Sequence, residues 1–455
     1  MLIGFEEGEA LQRAGAEAPV VLTIVKWKYA FFTELENFEK PKDAVLIGFF
    51  AEQIRPQLPD CVTKHFDYMF FFEADYANFE KVYEDSNVVE LAHLEQFGDE
   101  LVKLVPREKL RFVETEEFLL ETLCRLRKRL GIAGVLTEDI AHLRNKALLK
   151  NRIQAAGIPT ANFAIADFSK KQPAAKVIED VEKAIGGYPM FRKPISGCGS
   201  GGGGNLERRE DLVHWVEARI AESDESVYLI EELMVGAEFW ACTCLLPNGS
   251  WKPLYVIFSE RGWSIHEYLR TGRPIPFFAE RFEELGTIFP NLEKFVGDVI
   301  DALKPPVPHL LCVQGFQLKE NVDDYRFTEV GYRPNGARGC GISYAASGVS
   351  QETALLSCHM NPEYTADPDP NRPKYHQCSL WFPQQEGHLH SHAEPPKLDS
   401  SVETKWILPV GSPTHQATSF ADFYLYLTLR NPTKDKLYSD AKWICDNWRP
   451  DIQRK

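Results

Sequence analysis

Apolar residues recur along this chain in two rhythms. Over about the first 140 positions, short unbroken apolar runs alternate with amphipathic stretches. The runs at 20–25, 44–50, 66–72, 88–91 and 110–113 predict buried strands, because a strand covered on both faces needs no polar alternation. The stretch 116–130 predicts a helix with Leu119, Leu123, Leu126 and Leu130 on one stripe, closed by Gly131 where a left-handed C-terminal residue is wanted. Such alternation predicts a parallel sheet with covering helices. A second helix is expected over 144–156, with Leu149, Ile153 and Ala156 in register and Gly157 and Pro159 as the stop. From 188 to about 333 the pattern is mixed. Strands are expected at 188–192, 228–232, 239–246, 254–258, 310–319 and 325–330, and a helix carries Leu212, Val213, Val216 and Ile220. Proline-rich polar stretches at 362–373 and 383–396 read as loops, and the chain closes with a strand at 423–429 and a helix around 438–448. The order suggests an N-terminal α/β domain over 1–140, a central domain over 141–360 and a small C-terminal lobe over 361–455.

One stretch breaks these rhythms. Lys193 and Pro194 lead into a run with six glycines in the eight positions 197–204. So much glycine leaves backbone N–H groups bare to curl around an anion, and the adjacent ammonium suits the same ligand. The run enters from one strand and leaves toward a helix, so it reads as a flap over nucleotide phosphates rather than as a flexible linker between finished domains. It is no Walker A loop, since Gly204 is followed by Asn205 and Leu206. Gly197, Gly199 and Gly202 satisfy the dinucleotide spacing, but Lys193 and Pro194 break the strand-to-glycine junction that motif requires.

Further along, an apolar strand ends in Glu231 and Glu232, with Glu238 beyond. A carboxylate and free backbone groups at a strand end suit an adenine edge, and a later carboxylate suits ribose hydroxyls. Gln317 and Glu329 flank a turn at 320–324; pairing around it would bring them together, on one face if the register is even. Oxygen donors on neighbouring strands suit Mg²⁺, which takes few protein ligands and completes its shell with phosphate and water. Arg333 can reach a phosphoryl or carboxylate group bidentately.

The succession of lysine, glycine run, strand-end acids and Gln/Glu/Arg hairpin resembles the ATP-grasp superfamily of carboxylate–amine ligases over roughly residues 105–345, and within it the L-amino-acid ligases most. The approach is similar too: Glu114, Thr115, Glu116 and Glu117, then Arg144, Asn145 and Lys146, then Gly157, Ile158, Pro159 and Thr160. The resemblance implies an α/β chain with the ATP-grasp fold, two α+β subdomains clasping ATP. A parallel-sheet domain would precede it, a lid subdomain would span about 160–235 and a small lobe would follow. It implies that Lys146 and Lys193 contact the phosphates and that Ser196, Gly197, Gly199, Ser200, Gly201 and Gly202 form the lid. Glu231, with the backbone of Glu232, Leu233 and Met234, would hold adenine, and Glu238 the ribose. Gln317 and Glu329 would bind Mg²⁺, for which Mn²⁺ is an accepted substitute, and Arg333 with Lys193 would serve the chemistry. Gly331 stands where many members carry a metal-binding asparagine, which removes one donor from a second ion. The segment 259–273 mixes cations with aromatics, so Arg261, His266, Arg270 and Arg273 join Arg333 as candidates for a substrate carboxylate.

Composition narrows the partners. Of 455 residues 44% are hydrophobic and 26% charged, which is globular, and the net charge of −15 argues against coating nucleic acid or anionic membrane. No apolar run has the length of a membrane helix, and the acidic start lacks the basic region of a secretory signal. The ten cysteines show no metal-type pairs; Cys242 and Cys244 read as buried thiols, and the expected compartment is the reducing cytoplasm. His388, His390 and His392 alternate as metal ligands on a strand would, but their proline-flanked setting favours a surface loop. The expected activity is ATP-dependent amide formation between a small carboxylate and an amine through an acyl phosphate, releasing ADP and phosphate, with a homodimer as the default assembly. The alternatives are a purine-pathway or carboxylase-type enzyme of the same fold, and a nucleotide-binding regulator without turnover.

Overall fold

The computed structural model describes residues 2–26, 35, 37–73, 92–196, 202–320, 322–336, 339–418, 420 and 422–453. The strand expected at 88–91 and most of the glycine run lie outside these residues.

The N-terminal runs form a parallel four-stranded sheet in the order Tyr68–Phe72, Val45–Ala51, Val21–Lys26, Leu110–Glu114. Val21–Lys26 and Val45–Ala51 are buried at every position, which is why they lack polar alternation. One face packs on helices Phe5–Glu17, Ala92–Leu104 and Leu120–Leu130, whose stripe Leu123, Leu126 and Leu130 is buried as expected. The other face, through Leu22, Ile24, Leu46 and Phe50, shares a core with the large central sheet. Gly131, at φ +69°, closes Leu120–Leu130 in the left-handed conformation that favours glycine.

The helix expected over 144–156 is Lys146–Ala155, preceded by a separate helix, Thr137–Arg144. Thr137–Arg144 stops at Asn145, whose side chain accepts Ala147 N–H at 3.0 Å and Leu148 N–H at 3.1 Å and so starts Lys146–Ala155. Next comes an antiparallel sheet in the order Phe163–Asp167, Val227–Glu232, Met190–Pro194, Gly204–Leu206, covered by helices Ala174–Ile185 and Arg209–Ala221. It has its own small core around Val177, Val181, Leu212 and Trp215.

The largest sheet has eight strands in the order Tyr325–Gly331, His309–Gln317, Ala237–Leu245, Trp251–Ser259, Ile275–Glu280, His376–Pro383, Phe423–Asn431, Ser401–Trp406. Phe239, Ala241, Val313 and Phe327 point into a core with Leu149, Ile153 and the helix Leu292–Leu303. Trp240, Cys242, Cys244 and Cys312 point the other way, into the core shared with the N-terminal sheet. The last three strands come from the segment expected to form a separate lobe. That segment caps the open edge of Ile275–Glu280, pairing Ile275 with Trp381 through to Ala279 with Gln377. An unpaired edge of this length would expose a row of backbone groups. The expected loop at 383–396 also contains a strand, Gly387–Ser391, in a three-stranded sheet with Pro413–Thr414 and Asp451–Gln453. Among the described residues no helix is long and apolar enough to cross a membrane.

Candidate functional site

The strands on either side of the glycine run pair antiparallel. Met190, Phe191 and Arg192 pair with Leu206, Asn205 and Gly204, and the Arg192 guanidinium donates to the Gly202 carbonyl at 3.1 Å. Both arms belong to the lid sheet, which excludes the linker reading. Gly202 has φ +69°, and a Cβ there would lie 3.0 Å from Pro194, so glycine is required at this point. Gly197, Gly199, Ser200 and Gly201 lie outside the described residues; Ser196 and Gly202 stand at the flanks of that gap. The base of the flap is fixed, because Lys146 N–H donates to the Ile195 carbonyl at 2.9 Å.

Five charged groups meet beside the strand that leads into the glycine run. Lys193, on Met190–Pro194, donates to Glu231 at 2.6 Å, and Lys150 reaches the other oxygen of the same carboxylate at 3.0 Å. Lys146 lies 3.8 Å from Glu329 on the edge strand Tyr325–Gly331. Burial opposes the ionised form of Glu231, but the two ammoniums outweigh it and bring its pKa down to about 2. Lys193 is raised: burial works against its charge, but Glu231 and then Glu329 prevail. Glu238 goes the other way, up to about 7, mainly through burial and with Glu329 adding repulsion, although Ile265 N–H donates to it at 3.1 Å. Glu329 is thus within electrostatic reach of Lys146, Lys193 and Glu238 at once.

The metal pair expected at Gln317 and Glu329 is corrected. Gln317 stands opposite Tyr325, not Glu329; it is buried, and its amide donates to the Ile288 and Val322 carbonyls at 2.7 and 3.0 Å. The residue opposite Glu329 is Gln314. The turn is centred earlier than expected, and a bulge between Gln314 and Gly315 sets Thr328 out of the pairing and shifts the register by one, exchanging which side chains share a face. Gln314 also faces Trp240 across the neighbouring strand, and Glu238 faces Phe316 two positions along, so Gln314, Glu329 and Glu238 line one face. That set offers only oxygen donors from amide and carboxylate groups, the chemistry of a hard divalent cation.

The adenine-side expectations land at the junction of the two sheets. Glu231 is committed to the two lysines, while Glu232 turns to Asn162, accepting its N–H at 3.1 Å. Leu233 N–H donates to the Pro189 carbonyl at 3.1 Å, and Met234 follows in the loop toward Gly236. Gly236 passes so close to the hairpin that a Cβ would lie 2.2 Å from the Gln317 carbonyl, so this loop is locked to the metal-side strand.

The substrate candidates divide. Arg333 holds Glu117 at 2.6 Å, and Arg144 grips the same carboxylate. Burial would raise the Glu117 pKa, but Arg144 and Arg333 outweigh it and Lys146 adds to them. Glu117 comes from the N-terminal domain, so three parts of the chain meet here. Arg261 staples the adenine-side loop to the hairpin through the Leu318 and Val235 carbonyls. Arg270 pairs with Glu267 at 2.8 Å, and Arg273 pairs with Asp446 at 2.9 Å while lying over Trp263. Arg270 is exposed near the C-terminal end of the helix Ile265–Thr271, Arg273 is half-buried just beyond it, and neither joins the cluster. The His266 side chain is outside the described atoms. His392 stacks on Trp406 and meets the Leu408 carbonyl at 2.9 Å, and the three alternating histidines form no ligand cluster among the described residues. The one that does form, Glu280, Glu284 and His376, is occupied by Lys434, which lies 3.4 Å from Glu280. Cys242 and Cys244 are buried thiols.

No protein-family model matches the chain, and no curated protein does. Solved structures do. An L-amino acid ligase from Bacillus licheniformis matches over 96% of this chain and 99% of its own, with TM-score 0.66 and 14% identity. The biotin carboxylase domain of a Hydrogenobacter thermophilus 2-oxoglutarate carboxylase, solved as a dimer with MgADP, ADP and bicarbonate, matches over 94% and 90%, with TM-score 0.60 and 13% identity. An N5-carboxyaminoimidazole synthase from Aspergillus clavatus, solved with ADP and 5-aminoimidazole ribonucleotide, matches over 93% and 99%, with TM-score 0.59 and 11% identity.

Proposed function

We propose that this chain, which has the ATP-grasp fold, joins a small carboxylate to an amine at the expense of ATP. The carboxylate oxygen attacks the γ-phosphorus, the β–γ bridging P–O bond breaks with ADP leaving, and an acyl phosphate results. The amine nitrogen then attacks the acyl carbon, phosphate leaves, and the amine proton passes to solvent. One observation carries the reading. Lys146 and Lys193, from separate elements, converge with the carboxylate of Glu329 beside the strand that leads into the glycine run.

Phosphoryl transfer needs in-line positioning and relief of spreading negative charge more than covalent help. Lys146 and Lys193 supply fixed positive charge, and both are anchored, one by its own N–H on Ile195 and one by Glu231. Glu329 with Gln314 would hold Mg²⁺, whose charge screens the phosphates when bound. Arg333, held by Glu117 at the N-terminal domain, is placed to orient a carboxylate or transferring phosphoryl group. The adenine-side loop, locked through Gly236 and Arg261, gives the base a fixed wall. Exclusion of water from the cleft would protect the acyl phosphate from hydrolysis.

The test is phosphate release with ATP and Mg²⁺ across paired amino acids and amines. Amine-dependent ADP and phosphate, lost in Glu329→Ala and Lys193→Ala, support the reading; AMP and pyrophosphate would eliminate it. The Hydrogenobacter domain's bicarbonate favours one second reading, in which bicarbonate is the carboxylate. Labelled bicarbonate appearing in product would select it.

A further inference from the structure

The cluster contains one cation more than the phosphate-facing pair. Lys150 lies one helical turn beyond Lys146 on Lys146–Ala155, and its side chain is fully buried. Lys150 donates to Thr160 Oγ1 at 2.7 Å and to the Phe327 carbonyl at 3.1 Å, and its ammonium forms an ion pair with Glu231 Oε2 at 3.0 Å. Thr160 Oγ1 also donates to the Phe327 carbonyl at 2.9 Å. Lys150 therefore ties Glu231 on the lid sheet to the edge strand that carries Glu329 two residues later. Its ammonium is fully buried among these protein groups, which places it behind Glu231 and away from solvent.

Its consequence is electrostatic. Glu231 is one carboxylate shared by two ammoniums, so the trio carries one net positive charge. Without Lys150 the Glu231–Lys193 pair would be neutral, and Lys193 would face the phosphates with its charge cancelled. At a few ångströms inside a protein one unit charge is a large term, on the order of kcal/mol. We propose that Lys150 is a positioning residue that neutralises Glu231 from behind, leaving the charge of Lys193 available to the polyphosphate of the bound nucleotide. The inference rests on the nucleotide reading of this cleft.

The test measures binding, with no turnover needed. ATP with Mg²⁺ and uncharged adenosine are titrated into the full-length wild type, Lys150→Met, Glu231→Gln and the double variant. Lys150→Met is expected to weaken ATP by about tenfold or more while adenosine changes by less than about twofold. The double variant removes one charge of each sign and restores the net charge, so its ATP affinity is expected to recover to within about threefold of wild type. A packing role predicts the reverse, with ATP and adenosine falling together and the double variant no better than Lys150→Met. Either result overturns the proposal, as does wild-type ATP affinity in Lys150→Met. If methionine prevents folding, Lys150→Gln keeps a donor for Thr160 and Phe327 and carries the same expectation. A wild type that binds no ATP would instead overturn the nucleotide reading itself.

Discussion

Replacing Glu231 by glutamine removes the negative centre on which the cluster is built. The carboxylate is 3% exposed and faces Lys193 at 2.6 Å and Lys150 at 3.0 Å. Although burial alone would raise its pKa, the two ammoniums take it from 4.5 to about 2. A carboxyl whose folded pKa is depressed stabilises the fold when ionised. The contribution is complete above about pH 4.5 and is lost as the pH falls toward 2. At about 1.4 kcal/mol per unit, the interval from 4.5 down to about 2 corresponds to roughly 3 kcal/mol. Glu231→Gln forfeits this and leaves two buried ammoniums facing each other, a loss of roughly 3–5 kcal/mol for breaking a buried pair from one side. Urea unfolding followed by tryptophan fluorescence at pH 7, 5 and 3 reads both effects. The variant should unfold at clearly lower urea at pH 7, and its gap from wild type should narrow by pH 3, where the wild-type carboxylate begins to protonate. A gap under about 1 kcal/mol at pH 7, or one that stays constant to pH 3, would refute the account.

Gln314→Ala should raise the Mg²⁺ concentration needed for half-maximal phosphate release. Gln317→Ala should leave that concentration unchanged while lowering the unfolding free energy by about 1–3 kcal/mol, since it orphans the Ile288 and Val322 carbonyls. Gly236→Ala puts a methyl 2.2 Å from the Gln317 carbonyl; the adenine-side loop must shift, at about 1–3 kcal/mol for overpacking, and the KM for ATP should rise with kcat less affected. Arg270→Ala and Arg273→Ala break exposed pairs with Glu267 and Asp446, so steady-state turnover should stay within about twofold and stability within about 1 kcal/mol; a large loss in either would return that segment to the substrate site.

What could be read from the chain follows the range of the forces involved. The parallel sheet was legible because strands buried on both faces must be apolar throughout, and that is a local property of Val21–Lys26 and Val45–Ala51. The strand that carries Lys193 into the glycine run was legible because its apolar residues and the glycines that follow lie close together in sequence. Register was not. Gln314 and Gln317 are both glutamines on one strand, and only the bulge between Gln314 and Gly315 decides which one faces Glu329. The closure of the Ile275–Glu280 edge by strands from a hundred residues further on is equally non-local. Arg270 and Arg273 shared a promising segment with Arg261, but the direction of each side chain was set by Glu267 and Asp446, which no motif ties to them.

Two residues that pattern reading passed over show where further signal lay. Glu117 sits in the acidic stretch before Leu120–Leu130, where it would ordinarily be a solvated helix-start charge. Instead Arg333, more than two hundred residues away, and Arg144 enclose it. Its role could not be inferred before the N-terminal domain was docked on the central sheet. Lys150 was inferable in part. It follows Lys146 by four positions, so both lie on one helical face, and it is adjacent to Leu149 in a stripe that continues to Ile153. A lysine at the margin of a buried stripe must find a carboxylate or surrender its charge, and a strand-end acid in the same domain is where one would search. Glu231 is that acid. A site assembled from three separately packed cores therefore announces its ligands by local chemistry and its positioning groups only by what burial obliges them to find.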